Sequence, residues 1–144
     1  MKIKAINLTR TINHTLSFDD AIGTDDAVIW ELGALDSRVL AAIKDRATGI
    51  PISALQGGSS DGTATLNINQ TNFDVVVFGL KGFKNFKYED DTPVEYKTAH
   101  TNLGGKTYLT VDPDIVKMMP PEAIDELAGA IMDFNTLKAD ERKN

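Results

Sequence analysis

The stretch TNFDVVVFGLKGFKNF, residues 71–86, decides the fold, because it satisfies two periods at once. Phe73, Val76, Val77 and Leu80 stand at i, i+3, i+4 and i+7, the spacing of one helix face. The three successive valines, Val75 to Val77, favour a strand instead. Thr71 or Asn72 can accept a hydrogen bond from the free amides of a helical first turn. The spacing and the cap together predict a helix over 72–82. Gly79 and Gly82 then permit close packing or a positive φ at its end.

Upstream, TINHTLSF (11–18) alternates, with Ile12, His14, Leu16 and Phe18 on one face, as a half-buried strand does. KIKAINL (2–8) is a weaker strand, so residues 3–18 read as a hairpin. AVIWELGAL (27–35) sets Val28, Trp30, Leu32 and Ala34 on one side of a further strand. LDSRVLAAIKDRATG (35–49) predicts a helix over 36–48, capped by Asp36, striped by Val39, Leu40, Ile43 and Ala47, and stopped by Gly49. IPISALQGGSSDG (50–62) reads as a loop, and TATLNINQ (63–70) as a strand with Ala64, Leu66 and Ile68 inward.

Downstream, FKYEDDTPVEYK (86–97) reads as a hairpin around an acidic turn with Pro93. Residues 97–105 read as a loop ending in the turn NLGG, and KTYLTV (106–111) as a short strand. Asp112-Pro113 starts a short helix that Pro120-Pro121 must end. PEAIDELAGAIMDF (121–134) is the clearest amphipathic helix, with Ile124, Leu127, Ala128, Ile131 and Phe134 on one face. NTLKADERKN (135–144) breaks it and has room for one last turn. The expected fold is a single α+β domain over 1–144. An antiparallel sheet, from the N-terminal strands and the middle hairpin, packs against two to four helices near 36–48, 72–82 and 121–134. Its regions are N-terminal strands (1–35), helix and loop (36–62), strand, helix and hairpin (63–111) and a helical end (112–144).

The bulk numbers bound the function. A chain of 144 residues, 42% hydrophobic and 25% charged, suffices for one domain with a true core. With no cysteine, disulfide and thiolate chemistry are excluded. The opening MKIKAINLTR lacks an apolar signal-peptide core, and no run is long enough to span a bilayer. The net charge is −6, and residues 112–144 carry −4 of it. That balance opposes general nucleic-acid binding, whose affinity comes largely from neutralising phosphates. It suits a basic surface on another protein.

Four local patterns carry possible chemistry. GLKG (79–82) matches the GXXG loop with which KH domains clamp nucleotides, Lys81 supplying charge. The chain after it runs into FKNFKYEDD, acid and a turn, where such a loop should lead into a long apolar helix. A KH-like RNA-binding module is therefore the alternative reading. GSSDG (58–62) has the form of a nucleophile elbow, but its predicted flanks are a loop and a strand, and only His100 lies downstream as a base. Two histidines without cysteine make a poor zinc set, and His14 reads as a packed or edge residue. The acid clusters at Asp19-Asp20, Asp25-Asp26 and Glu89-Asp90-Asp91 lack the spacing of a calcium loop and read as turns.

Three pieces in order resemble a known group: VVVFGLKGFKNF (75–86), YEDDTPVEY (88–96) and MMPPEAIDELAGAIMDFNTL (118–137), with the tail ERKN. The order resembles small tailed-bacteriophage morphogenesis proteins of the tail and head–tail region, often described as tail assembly chaperone-like. The likeness covers residues 73–144, and more loosely VIWELGALDSRVLAAI (28–43). This chain has Phe83 where the group carries tryptophan, and Asp91-Thr92 where it carries an Asp-Gly turn. The stretches 47–62 and 97–105 stand as additions. The resemblance implies a non-enzymatic virion component or assembly chaperone without cofactor or metal. Its site would be the virion or the host cytoplasm. Its partners would be other phage structural proteins, in a multi-subunit assembly or a homo-oligomer. The expected contact residues are Gly79, Lys81, Gly82, Phe83 and Phe86 in the middle segment, and Ile124, Leu127, Ile131 and Phe134 on the last helix. They would act through strand edges and apolar docking.

Overall fold

At 73–79 the helical period prevails over the valine run. The computed structural model describes residues 7–48 and 60–136, together with Ile3 and Ala5; of residues 47, 48 and 60–67 it describes the backbone only. In chain order the elements are β1 (Thr11–His14), β2 (Ile29–Gly33), α1 (Ser37–Thr48), α2 (Ser60–Gly79), β3 (Leu80–Lys84), β4 (Thr98–Leu103), β5 (Lys106–Val111), α3 (Pro113–Lys117) and α4 (Pro121–Asn135). This is an α+β arrangement of antiparallel sheets packed with helices.

α2 absorbs both the strand expected over 63–70 and the last residues of the expected loop, so those two readings are corrected. Lengthening an existing helix adds one hydrogen bond per residue and needs no new nucleus, whereas a strand there would need a partner edge. Ile68, expected inward, is 59% exposed. The helix also stops at Gly79 rather than 82, because Leu80–Lys84 pair antiparallel with β2: Ile29 faces Lys84, Trp30 faces Phe83 and Glu31 faces Gly82, with an irregularity between Glu31 and Leu32.

The single expected sheet is two. One is three-stranded in the order β1-β2-β3, and the other is the hairpin β4-β5. The N-terminal hairpin over 3–18 does not form among the described residues. Instead β1 pairs with β2, from Thr11 opposite Gly33 to His14 opposite Trp30. The alternation past His14 is interrupted by a turn, so Leu16 is buried while Phe18 is 49% exposed. The acidic hairpin closes through one bridge, Lys87 to Pro93, and joins neither sheet. Residues 98–103, expected as loop, form β4.

Several end signals act as expected. Asp36 Oδ1 accepts from Val39 N at 2.8 Å. Asp112 caps α3 by accepting from Asp114 N at 3.0 Å, with Pro113 in the first turn. Pro121 opens α4. Ala47 as a stripe residue, the Gly49 stop, the loop at 50–59 and the tail beyond 136 lie outside the described residues. The core lies where α2 packs along both α1 and α4. Trp30 and Leu32 of β2, Ile43 of α1, Val75–Phe78 of α2, and Leu127 and Ile131 of α4 are all buried in it.

A carboxylate sits inside that packing. Asp74 is 6% exposed; Gln70 Nε2 donates to its Oδ1 at 3.0 Å, and Arg46 Nη1 lies 3.6 Å from its Oδ2. Burial pushes its pKa above the usual aspartate value, and Arg46 and Gln70 offset this only in part. A native pKa above the unfolded one means that the native state binds the proton more tightly. The favourable contribution is present at acid pH, and is lost as pH rises from the ordinary aspartate range through the raised native value. Asp74→Asn is therefore expected to be more stable than the parent at neutral pH, with the difference closing in acid. Urea midpoints measured across pH check this. A difference that widens in acid reverses the sign of the claim.

Candidate functional site

The tetrapeptide Gly79–Gly82 is not a free loop. Gly79 ends α2, and Leu80–Lys84 are laddered to β2. A Cβ at Gly79 would lie 2.6 Å from Ile131 Cδ1. The Lys81 stem lies over Gly33, where a Cβ would come within 2.7 Å of its Cγ. Its Nζ donates to Phe78 O at 2.9 Å, and burial pulls its pKa below the usual lysine value. Gly82 leaves space for a carboxylate, since a Cβ there would stand 3.1 Å from Glu31 Oε2. Each glycine thus admits a neighbouring side chain of the same molecule.

Phe83 and Phe86 belong to an aromatic cluster under the sheet. Trp30 lies 5.8 Å from Phe83 and 4.9 Å from Phe86, centroid to centroid, and Tyr96 lies 5.5 Å from Phe83. The Tyr96 hydroxyl donates to Leu80 O at 3.0 Å, which occupies a carbonyl of β3. Trp30 Nε1 is buried with no hydrogen-bond partner among the described residues.

On α4, Leu127 and Ile131 are 0% exposed, so the anchors expected for docking are packed inside this chain. Ile124 is partly buried, and Arg10 lies 5.2 Å above the Phe134 ring. Another side of α4 binds the N-terminal segment. His14 Nε2 lies 2.8 Å from Glu126 Oε2, Ser17 N donates to the same oxygen at 2.9 Å, and Ser17 Oγ donates to Oε1. Partial burial works against the Glu126 charge, but the Ser17 and His14 hydrogen bonds outweigh it and hold its pKa below the usual value. His14 is thus a half-buried tether residue. Asp19 accepts from the amides of Ala21 and Val28, and Asp90 from that of Thr92, so these carboxylates organise turns. Ser60 heads α2, and its side chain lies outside the described residues.

The surface that the sequence reading missed is the β4-β5 hairpin. Its six pairs run without irregularity from Thr98 opposite Val111 to Leu103 opposite Lys106. Gly104 and Gly105, at φ +60° and +78°, make the two-residue turn whose twist matches paired strands. In such a hairpin the residues flanking the turn exchange hydrogen bonds, and the pairs then alternate. Asp112 N donates to Lys97 O at 2.8 Å, in phase with that alternation. Thr98, His100 and Asn102 therefore aim their amides and carbonyls away from β5. β4 has no other strand neighbour among the described residues. It carries no proline, bulge, lysine or carboxylate, the usual guards of an edge. On the hairpin's outer face Leu109, opposite His100, is 64% exposed. By contrast β1 has four residues, and β3 is irregular and partly covered by Tyr96. The missed signal was TAHTNL-GG-KTYLTV, a paired-glycine turn between two alternating runs.

No protein-family model, curated protein or solved structure matches this chain. No helix among the described residues is long and apolar enough to cross a membrane.

Proposed function

We propose that this protein is a non-enzymatic bacteriophage morphogenesis protein that binds other structural subunits by strand addition at β4. It works in the tail or head–tail region, either as a virion component or as an assembly chaperone, in the virion or the host cytoplasm. The phage assignment rests on the ordered motifs of residues 73–144. The mode of action rests on one observation, the regular edge of Thr98–Leu103, which among the described residues pairs with no strand besides β5. Such an edge offers main-chain hydrogen bonds to an extended segment, and flanking side chains such as Leu109 add selectivity. The added strand can come from another phage protein or from a second copy of this one.

Two proline substitutions test the edge. His100→Pro removes an amide that points outward and leaves the β4-β5 ladder complete; a strand edge tolerates proline at such a position. Thr101→Pro removes a ladder bond and is expected to disrupt the hairpin. The wild type should be recovered with purified particles or tail-protein complexes and detected by mass spectrometry. His100→Pro should keep its melting temperature and lose recovery by about tenfold or more, equivalent to about 1.4 kcal/mol. Recovery of His100→Pro at the wild-type level removes strand addition. Absence of the wild type from particles and from all tail-protein complexes removes the phage assignment. Presence in mature particles marks a resident subunit; presence in precursor complexes alone marks a chaperone.

A further inference from the structure

We infer that the outer face of the β1-β2-β3 sheet is a binding site for an alkylammonium or guanidinium group, with Glu31 as its anion. A cavity of about 590 Å³ opens on that face, and Thr11, Asn13, Glu31, Gly82, Lys84 and Tyr96 are among the residues lining it. Glu31 stands on the central strand and is half-buried. Its carboxylate has no hydrogen bond or ion pair among the described residues, while its backbone is laddered to Asn13 and Gly82. Its carboxylate lies across Gly82, whose absent side chain leaves it room: a Cβ there would sit 3.1 Å from Oε2.

An ordinary solvated sheet face spreads polar groups over water. This one differs in its chemistry. A carboxylate without a side-chain partner among the described residues borders the same cavity as Tyr96. A carboxylate in a cavity offers a cation both charge and a hydrogen-bond acceptor. The Asn13 and Thr11 side chains can accept from the remaining N–H groups of an ammonium or a guanidinium. Burial, and after it the Glu31 charge, push the Tyr96 pKa above the usual tyrosine value, which places that carboxylate near the ring. Among the described residues Lys84 is the one cation lining the cavity, and it makes no ion pair with Glu31. It competes with a bound cation without neutralising the site. The site lies on the other sheet from β4, so it stands or falls separately from strand addition.

The test is a titration of the intact protein, followed by amide NMR shifts, with N-acetyl-arginine amide, N-acetyl-lysine amide and the neutral isostere N-acetyl-citrulline amide. The cationic probes should give saturable shifts at Asn13, Glu31 and Gly82 with millimolar affinity, and the citrulline probe none. Glu31→Gln should weaken binding about fivefold or more, and Lys84→Ala, which removes the competing charge, should tighten it. If Glu31→Gln does not fold, unchanged or weaker binding by Lys84→Ala overturns the site. A short extended peptide with one central arginine is the second arm. Tighter binding than the single amide assigns the ligand to a protein chain, and equal binding assigns it to a small amine. No saturable shift at those amides, or citrulline binding as well as arginine, overturns the site.

Discussion

Ile131→Ala is expected to lower the unfolding free energy by about 2–5 kcal/mol, the range for emptying a filled aliphatic site. Leu127→Ala should fall in the same range. Both side chains are 0% exposed and belong to the cluster that joins α4 to α2 and β2. The loss combines the transfer free energy of the deleted groups with the cavity left behind, because neighbours in a close-packed interior relax only in part. Against a total stability of about 5–15 kcal/mol for a domain, either variant is severe. Ile124, only partly buried on the same helix, should lose much less on truncation. The experiment separates two roles that the amphipathic stripe of 121–134 leaves mixed. A core residue shifts the urea midpoint of the isolated protein, whereas a docking anchor leaves it in place and weakens only partner binding. An unchanged midpoint for Ile131→Ala would return α4 to the docking surface.

That mixture explains what the sequence made legible. Period and caps were enough for α1, α3 and α4, because Asp36, Asp112 and Pro121 act within one turn of themselves. The alternation of Val28, Trp30, Leu32 and Ala34 was enough for β2. Local pattern failed where a distant partner decided the outcome. TATLNINQ alternates like a strand, yet it continues a helix that the valine stripe packs between α1 and α4. LKGFK looks like a helix end, yet β2 recruits it as a third strand. The same limit governed the candidate site. An apolar face and an aromatic run read alike whether a partner or the chain itself covers them. Here Trp30 and Tyr96 cover Phe83, and α4 turns Leu127 and Ile131 inward. The β4 edge was hidden for a different reason. Thr98, His100 and Asn102 are polar, and polarity resembles a loop until the glycine turn and the second run are read as one hairpin. Glu31 carried no sequence signal, since its importance lies in the empty space at Gly82, which is opposite it only in the folded ladder.

Gly79→Ala is expected to destabilise the protein by about 1–3 kcal/mol, against the direction that helix propensity alone predicts. Replacing glycine by alanine in a helix ordinarily gains about 0.5–1 kcal/mol. At this position the new methyl would lie 2.6 Å from Ile131 Cδ1, 2.7 Å from Cγ2 and 3.0 Å from Cγ1. Those three atoms belong to a fully buried side chain, so the isoleucine cannot swing aside without displacing the core around it. Strain therefore exceeds propensity, and the bulkier Gly79→Val should be worse. A double-mutant cycle isolates the contact. Ile131→Ala opens the space that a methyl at position 79 would need, so the two substitutions together should cost less than the sum of their separate effects, with a coupling of about 0.5–3 kcal/mol. The measurement is the urea midpoint and slope of the four proteins at one pH. Coupling of that sign makes the glycine after VVVF a packing device that lets α2 end against α4 and release the chain into β3. Strict additivity would mean that the two residues do not touch, and Gly79 would again be available for the loop role that its GXXG spacing suggests.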